Sequence, residues 1–301
     1  MQDHRRYYEI AGVTVQVESD LPFSDTTFDK KFASFCVDGP GVDTVLVRHH
    51  FGLPDLDGQE TGEEVYRKPP WAIYRKGRSW VYQGISPEAD DPSLHRVAVF
   101  SADHTRGELY NDEVCEQAWR NGGLHSLTMF PSDQILLARL LADRDGCFLH
   151  SGGLLIDGQG FLFVGHSDAG KSTTMELVRR ELGERVEILC DDRNIVRRWP
   201  EGFRVHGTWS HGDVPDVSSA SAPLRAILFL EQSAHNEIVP LTDRKLIWQR
   251  LLATLIRPMV TADWWHKEMD VLEQIVDEVP CFTMRFDRSG AIVPELERLT
   301  R

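Results

Sequence analysis

Lys171 and Ser172 follow Gly165 at a spacing that fits the phosphate-binding pattern G-x-x-x-x-G-K-[ST], as Gly165-His-Ser-Asp-Ala-Gly-Lys-Ser-Thr173. An apolar run, Phe161 to Val164, leads into it, and a helical pattern with Met175, Leu177, Val178 and Leu182 leads out. The chemistry needs that layout. Glycines let consecutive backbone N–H groups converge on phosphate oxygens, and the following helix adds the positive end of its dipole. Lys171 is placed to reach β- and γ-phosphates and the Ser172 hydroxyl to ligate Mg²⁺. The expected nucleotide-binding residues are therefore Gly165, Ser167, Asp168, Ala169, Gly170, Lys171, Ser172 and Thr173. The plain alternative is an ordinary glycine turn between a strand and a helix.

Asp191 and Asp192 stand at the end of an expected strand, Val186 to Cys190, about twenty residues after Lys171. A carboxylate there holds Mg²⁺ directly or through water in phosphate-loop enzymes. Two adjacent acids point in different directions, so one can serve the metal while the other accepts a proton from an attacking hydroxyl. The bland counterpart is a solvated turn with a capping Asp. Three further features are weaker. His150 precedes Ser151-Gly152-Gly153 and an apparent hairpin that brings it near the loop strand. His206-Gly-Thr-Trp-Ser-His-Gly-Asp213 gathers two histidines and an acid, short of the third firm ligand a zinc site wants. It reads as a loop contacting substrate or nucleotide, or as plain surface. Gly165-His-Ser-Asp-Ala169 also approaches the nucleophile elbow G-x-S-x-G, which would make Ser167 a hydrolase nucleophile, but leaves Gly170-Lys171-Ser172-Thr173 unexplained.

The positioning elements fall into two regions. Residues 1–130 read as a β-rich domain with a substrate-recognition or regulatory role. Alternating runs occur at Tyr7 to Val17 around Gly12, Thr44 to Arg48, Trp71 to Tyr74, Ser79 to Tyr82 and Arg96 to Phe100. Asp38-Gly-Pro-Gly41, Leu53 to Gly58 and Arg75-Lys-Gly-Arg78 supply turns, the last joining two aromatic strands. Trp71, Tyr74, Trp80 and Tyr82 are expected as cross-strand packing pairs. From 131 onward the texture is α/β. Ser132 caps a helix over Ile135 to Leu141, and two short strands, Cys147–His150 and Gly153–Asp157, precede the phosphate loop. A hairpin over Asn194 to His206, a buried strand at Arg225–Leu230, helices over Leu246–Ile256 and Trp264–Val276, a strand near Cys281–Phe286 and a closing helix from Pro294 complete it.

The chain has 301 residues, enough for two domains, with a hydrophobic fraction of 41%. Its formal charge of −14 argues against a broad nucleic-acid surface and requires local positive charge at any nucleotide site. No apolar run reaches the length of a membrane span, and no apolar segment follows the basic residues of the N-terminus. Five scattered cysteines without C-x-x-C spacing read as reduced thiols of a cytoplasmic protein. These readings exclude nucleic acid and membrane as partners and leave oligomerisation open.

The order His150, Gly152-Gly153, the loop Gly165 to Thr173, one helix, and Cys190-Asp191-Asp192-Arg193 resembles the catalytic domain of HPr kinase/phosphorylase. The resemblance covers about half the chain and extends to the phosphoenolpyruvate carboxykinase type of phosphate-loop fold. It implies an α/β (α+β overall) architecture, with such a kinase core over 131–301 preceded by the β-rich domain. It implies ATP and Mg²⁺ as cofactors and a Ser-bearing peptide or small protein as acceptor. Carried over residue by residue, Asp191 is the general base, Lys171 the phosphate ligand, Ser172 and Asp192 or Asp191 the metal ligands, and His150 a catalytic-site residue. Asp168 departs from the family's glycine and adds negative charge beside the phosphate. The C-terminal signature of the reverse, phosphorolytic reaction is missing, so that activity is not carried over. The layout, a β-rich half before the kinase core, is similar to kinase homologues that modify lasso-type precursor peptides at a terminal Ser. Other classes that fit the loop are a nucleotide-binding regulator without phosphotransfer and the Ser167 hydrolase.

Overall fold

The computed structural model describes residues 4–54, 62–85, 94–166, 168–257 and 261–300, the side chain of Ser132 excepted. The turn expected at Leu53 to Gly58 and the loop residue Ser167 lie partly or wholly outside the described residues. The chain is mixed α/β and divides into two compact units, residues 1–140 and 141–301. The division falls inside a helix, later in the chain than the texture change near 131 suggests. Among the described residues no helix is long and apolar enough to cross a membrane.

The first unit holds one nine-stranded sheet. Its strands are β1 (Arg5–Ile10), β2 (Val13–Ser19), β3 (Cys36–Val37), β4 (Thr44–Phe51), β5 (Glu63–Lys68), β6 (Trp71–Lys76), β7 (Ser79–Ile85), β8 (Leu94–Phe100) and β9 (Arg106–Asn111). The order is β3-β1-β2-β4-β9-β8-β7-β6-β5. Ala11 and Gly12 turn β1 into β2 with φ of 49° and 76°, the positive values that a two-residue hairpin matching strand twist requires. Tyr8, Phe23, Phe28, Phe32 and Trp119 pack with ring centroids 5.1–5.9 Å apart. Trp119 comes from α1 (Glu113–Asn121), an element absent from the β-rich reading, whose first turn is capped by Asp112 accepting from the Cys115 N–H. The four aromatic residues of β6 and β7 are buried but do not face one another: Ile73 stands opposite Tyr82, Arg75 opposite Trp80 and Trp71 opposite Gly84. His49 is buried on the Leu127 carbonyl and His50 bridges Asp20 and Glu108, so both are structural. The unit ends in α2 (Gln134–Ala142). Ahead of it, Asp133 accepts the Leu127 and Thr128 N–H groups.

The second unit is built on two long strands that each serve two sheets. They are β10 (Gly146–Ile156) and β15 (Ser221–Gln232). Between and after them come β11 (Gln159–Val164), α3 (Lys171–Leu182), β12 (Val186–Cys190), β13 (Arg193–Trp199), β14 (Gly202–His206), β16 (Glu237–Pro240), α4 (Arg244–Thr254), α5 (Ala262–Glu278), β17 (Cys281–Phe286) and α6 (Val293–Arg298). Residues 146–150 of β10 pair with β13, whereas residues 151–156 pair with β11 and 153–156 with β12. The two short strands expected around Ser151-Gly152-Gly153 are thus one strand that changes partners at the glycines. One sheet runs β12-β10-β11-β15-β17-β16 and the other β10-β13-β14-β15.

Both faces of the first of these sheets are covered, which is why its strands read as unbroken apolar runs. Leu162, Val164, Ile227 and Phe229 face α4 and α5, while Phe161, Phe163, Ala226 and Leu228 face α3 and α6. Strands β11, β15 and β17 are mutually parallel, and β12 shares their direction because β10 is antiparallel to both β11 and β12. Four strand ends, Val164, Cys190, Gln232 and Phe286, therefore emerge along one edge of this sheet.

One buried group opposes this packing. Glu268 of α5 is fully buried, and among the described residues neither of its carboxyl oxygens has a hydrogen-bond partner. Burial pushes its pKa up to about 9, so it is neutral in the folded protein while the unfolded chain ionises near pH ~4.3. The folded state then holds the extra proton across that window. The contribution is complete below the unfolded pKa and is lost as pH rises toward the folded one. Urea denaturation at pH 5 and pH 8.5 should show Glu268→Gln losing less stability on alkalinisation than the parent. Parallel losses in the two proteins would remove Glu268 as the cause.

Candidate active site

The loop between β11 and α3 sits on that shared edge. Gly165 must be glycine because a Cβ there would lie 2.6 Å from the Ala169 Cβ. Gly170 has φ 102°, and its Cβ would lie 2.9 Å from the Phe286 ring. Asp168 adopts φ 64°, a left-handed conformation that Asp tolerates better than most residues, and its carbonyl accepts from Gln232 Nε2 at 2.8 Å. Asp168 therefore makes a turn in a conformation that glycine more often supplies. The Ala169 N–H bonds back to the His166 carbonyl at 3.2 Å, closing the loop on itself. Helical bonding starts with Thr174 N–H to the Gly170 carbonyl, which among the described residues leaves the amides of Lys171, Ser172 and Thr173 as the free N-terminus of a twelve-residue helix. Lys171 folds back over the loop, its Nζ 3.3 Å from the Gly165 carbonyl and 3.4 Å from that of His166. Burial pulls its pKa down, and the carboxylates of Asp192, Asp191 and Asp168 pull the other way.

The acidic pair is fixed by β10. Ser151 N–H donates to the Asp192 carbonyl at 2.9 Å, and the Asn194 amide donates to the carbonyls of Ser151 (2.7 Å) and Cys190 (3.0 Å). Asn194 occupies the space a side chain at 153 would need: a Cβ on Gly153 would lie 2.3 Å from its Oδ1. The two acids then part company. Asp191 is buried; its Oδ1 accepts the Gly212 N–H at 2.5 Å, and its Oδ2 accepts the Val214 N–H at 2.8 Å and the Ser172 hydroxyl at 3.2 Å. Asp192 lies with Oδ1 3.0 Å from His150 Nδ1 and Oδ2 2.5 Å from Arg193 Nη1. Burial works against its ionisation, but the His150 hydrogen bond, Arg193 and Lys171 outweigh it and hold the carboxyl below the usual range.

These groups line a cleft of about 570 Å³ that contains His150, Lys171, Ser172, Thr173, Asp191 and Asp192. Of the sequence-predicted residues, Asp168 and Gly170 line it too, while Gly165 and Ala169 support the loop from behind. His206 is elsewhere in its chemistry: on β14, fully packed, accepting from the Trp199 indole at 3.2 Å, with burial pushing its pKa down to about 3. His211 turns to the Gly212 carbonyl. The expected two-histidine loop therefore offers no joint ligand set, and only Gly212 and Asp213 from it reach the cleft. Sequence reading missed Gln232, Ser233, Phe286, Asp287 and Arg288, which line the far end. The available signal was positional: ligands bind beyond the carboxyl ends of strands in open α/β sheets, and these residues follow two expected strands.

The cleft is lined by five carboxylates (Asp168, Asp191, Asp192, Asp213, Asp287) against Lys171 and Arg288. A polyphosphate entering it needs a divalent cation to offset that field. Ser172 and the two acids supply hard oxygen donors on one edge, which suits Mg²⁺ sharing its shell with phosphates and water. Among the described residues no group of three or more His, Cys, Asp and Glu is arranged to hold a metal by itself.

The chain belongs to the family described as SynChlorMet cassette protein ScmC, whose model matches residues 114–301. A search of curated proteins finds no match. Among solved structures, the chain is similar to the Hpr(Ser) kinase/phosphatase from Coxiella burnetii at 13% identity, covering 51% of this chain and 88% of that one, with a TM-score of 0.30.

Gly153→Ala tests the weld between β10 and the acidic turn. It should displace the Asn194 amide and cost about 1–3 kcal/mol in chemical denaturation, the range for overpacking combined with unmade buried hydrogen bonds. Unchanged stability would show that the turn does not rely on Asn194.

Proposed function

We propose that the second unit is an ATP- and Mg²⁺-dependent kinase that transfers the γ-phosphoryl group to a serine hydroxyl of a peptide or small protein. The observation that carries this reading is the Ser172–Asp191 hydrogen bond, which joins the first turn of the phosphate-loop helix to the acidic turn of β12. The residue-by-residue resemblance to HPr kinase/phosphorylase supports the same reading and the choice of serine. The family description, a cassette protein, directs the search for an acceptor to products of the same cassette.

Lys171 and the free amides of the α3 N-terminus would stabilise charge on the transferring group. Ser172 and Asp191 would hold Mg²⁺, which when bound offsets charge on the β- and γ-phosphate oxygens. The acceptor oxygen forms a bond to the γ-phosphorus as the bond to the bridging oxygen of ADP breaks. The hydroxyl proton passes to the protein and then to solvent. The resemblance implies Asp191 as its acceptor, but Asp191 is already taken up by two loop amides and Ser172. We therefore assign the proton to the Asp192–His150 pair, acting as a unit, with Nδ1–H of His150 turned to the carboxylate.

Transfer of ³²P from ATP to peptides encoded beside the gene is the test. Lys171→Ala should abolish it, and Asp192→Asn and His150→Ala should each lower kcat by roughly 10²–10⁴ with ATP affinity retained, the range for loss of general-base catalysis. If Asp191→Asn alone produces that pattern while Asp192→Asn transfers normally, Asp191 is the base. ATP binding without transfer to any candidate would favour a nucleotide-binding regulator.

A further inference from the structure

The cleft continues past the phosphate loop on the side away from the acids. The strand order places β12 and β10, with Asp191, Asp192 and His150, on one side of β11, and β15 and β17 on the other. Beyond the ends of β15 and β17 the lining is Gln232, Ser233, Phe286, Asp287 and Arg288. We propose that this end binds the nucleoside of the triphosphate, with Asp287 and Arg288 reading base and ribose, so that the acceptor enters from the His150 end. The inference rests on the kinase reading of the phosphate loop.

Three observations point this way. The acceptor hydroxyl must meet the γ-phosphoryl group beside a proton acceptor, and the His150–Asp192 pair lies on the β10–β12 side. The nucleoside must then leave the loop on the opposite side, where the same cleft remains open. The chemistry there suits a base and a sugar. Phe286 gives an apolar floor, and Arg288 is an exposed cation. Asp287 is set by its own turn: its Oδ1 accepts the Ser289 N–H at 2.8 Å and the Ser289 hydroxyl at 2.5 Å, and its N–H bonds to Asn236 Oδ1 at 3.2 Å. Those hydrogen bonds hold the carboxyl below its ordinary pKa, so it is an acceptor for the ring or exocyclic N–H groups of a base. A second cavity, about 770 Å³ and walled by Val164, Phe229, Leu230 and Ala253, lies behind the loop. Its lining shares Asp168 and Gln232 with the cleft but includes neither Lys171 nor Ser172, so it meets the cleft behind the loop and not at the α3 N-terminus.

Titration calorimetry with MgATP and with magnesium tripolyphosphate, at about 0.15 M salt to screen long-range charge, separates the two ends. Arg288→Ala should weaken ATP at least ten-fold and leave tripolyphosphate within two-fold, and Asp287→Asn should shift the ATP-to-GTP preference. Lys171→Ala should weaken both ligands. If Arg288→Ala alters neither ligand, or both equally, the nucleoside does not lie over β15 and β17. A selective ATP loss in Arg250→Ala, with Arg288→Ala unaffected, moves the nucleoside to the second cavity and overturns the proposal. If neither ligand binds the parent protein, the phosphate-site reading itself fails and the inference falls with it.

Discussion

Asn194 donates its side-chain amide to the carbonyls of Ser151 and Cys190, and does so in space left by the missing side chain of Gly153. That close approach lets β10 pass between β11 and β12 while β13 departs from the same region into the second sheet. The acidic end of the cleft inherits its position from this junction. The Asp191-Asp192 turn is held to β10 through the Ser151 N–H, and His150, one residue earlier on β10, arrives beside Asp192. Gly152 plays the matching part on the other face, where a Cβ would lie 2.5 Å from the Met175 sulfur of α3. Two adjacent glycines thus bring the strand carrying His150, the helix carrying Lys171 and the turn carrying the acids to one edge.

Charge explains the division of labour within that edge. Five carboxylates around one cleft would repel one another and any phosphate, yet Asp191 and Asp192 are committed differently. Asp191 is enclosed by the amides of Gly212 and Val214, a fixed environment suited to a metal ligand. Asp192 is paired with His150, whose imidazole is able to take up a proton, and with Arg193, a permanent cation. Lys171 is curled onto its own loop carbonyls, and in the proposed kinase it would exchange those weak bonds for phosphate oxygens.

Much of this was legible from residue order. The strand, loop and helix around Gly165 to Thr173 carry a motif, and the aromatic hairpin of β6 and β7 carries strong alternation. The misreadings have physical causes. Ser151-Gly152-Gly153 looked like a turn because glycine pairs usually punctuate chains, whereas here they mark close packing within one strand. Helix α1 was hidden inside a β-rich stretch, although Asp112, Glu113 and Glu116 before Gly122 gave the signature of a capped start and a stop. That Asp191 is held by backbone amides while Asp192 meets His150 could not be read locally, because it depends on the amides of Gly212 and Val214, about twenty residues along the chain. The lining from Gln232 to Arg288 is likewise assembled by sheet order, which no local pattern reports.

Ser172 and the acidic turn are proposed to form one metal–nucleotide site. Electron paramagnetic resonance of Mn²⁺ with ATP and the protein addresses it without any acceptor peptide. A shared site gives a protein-dependent broadening of the Mn²⁺ signal that requires ATP and is lost in both Ser172→Ala and Asp191→Ala. A Mn²⁺–ATP spectrum that the parent protein leaves unchanged, or a broadening that survives both substitutions, would contradict it.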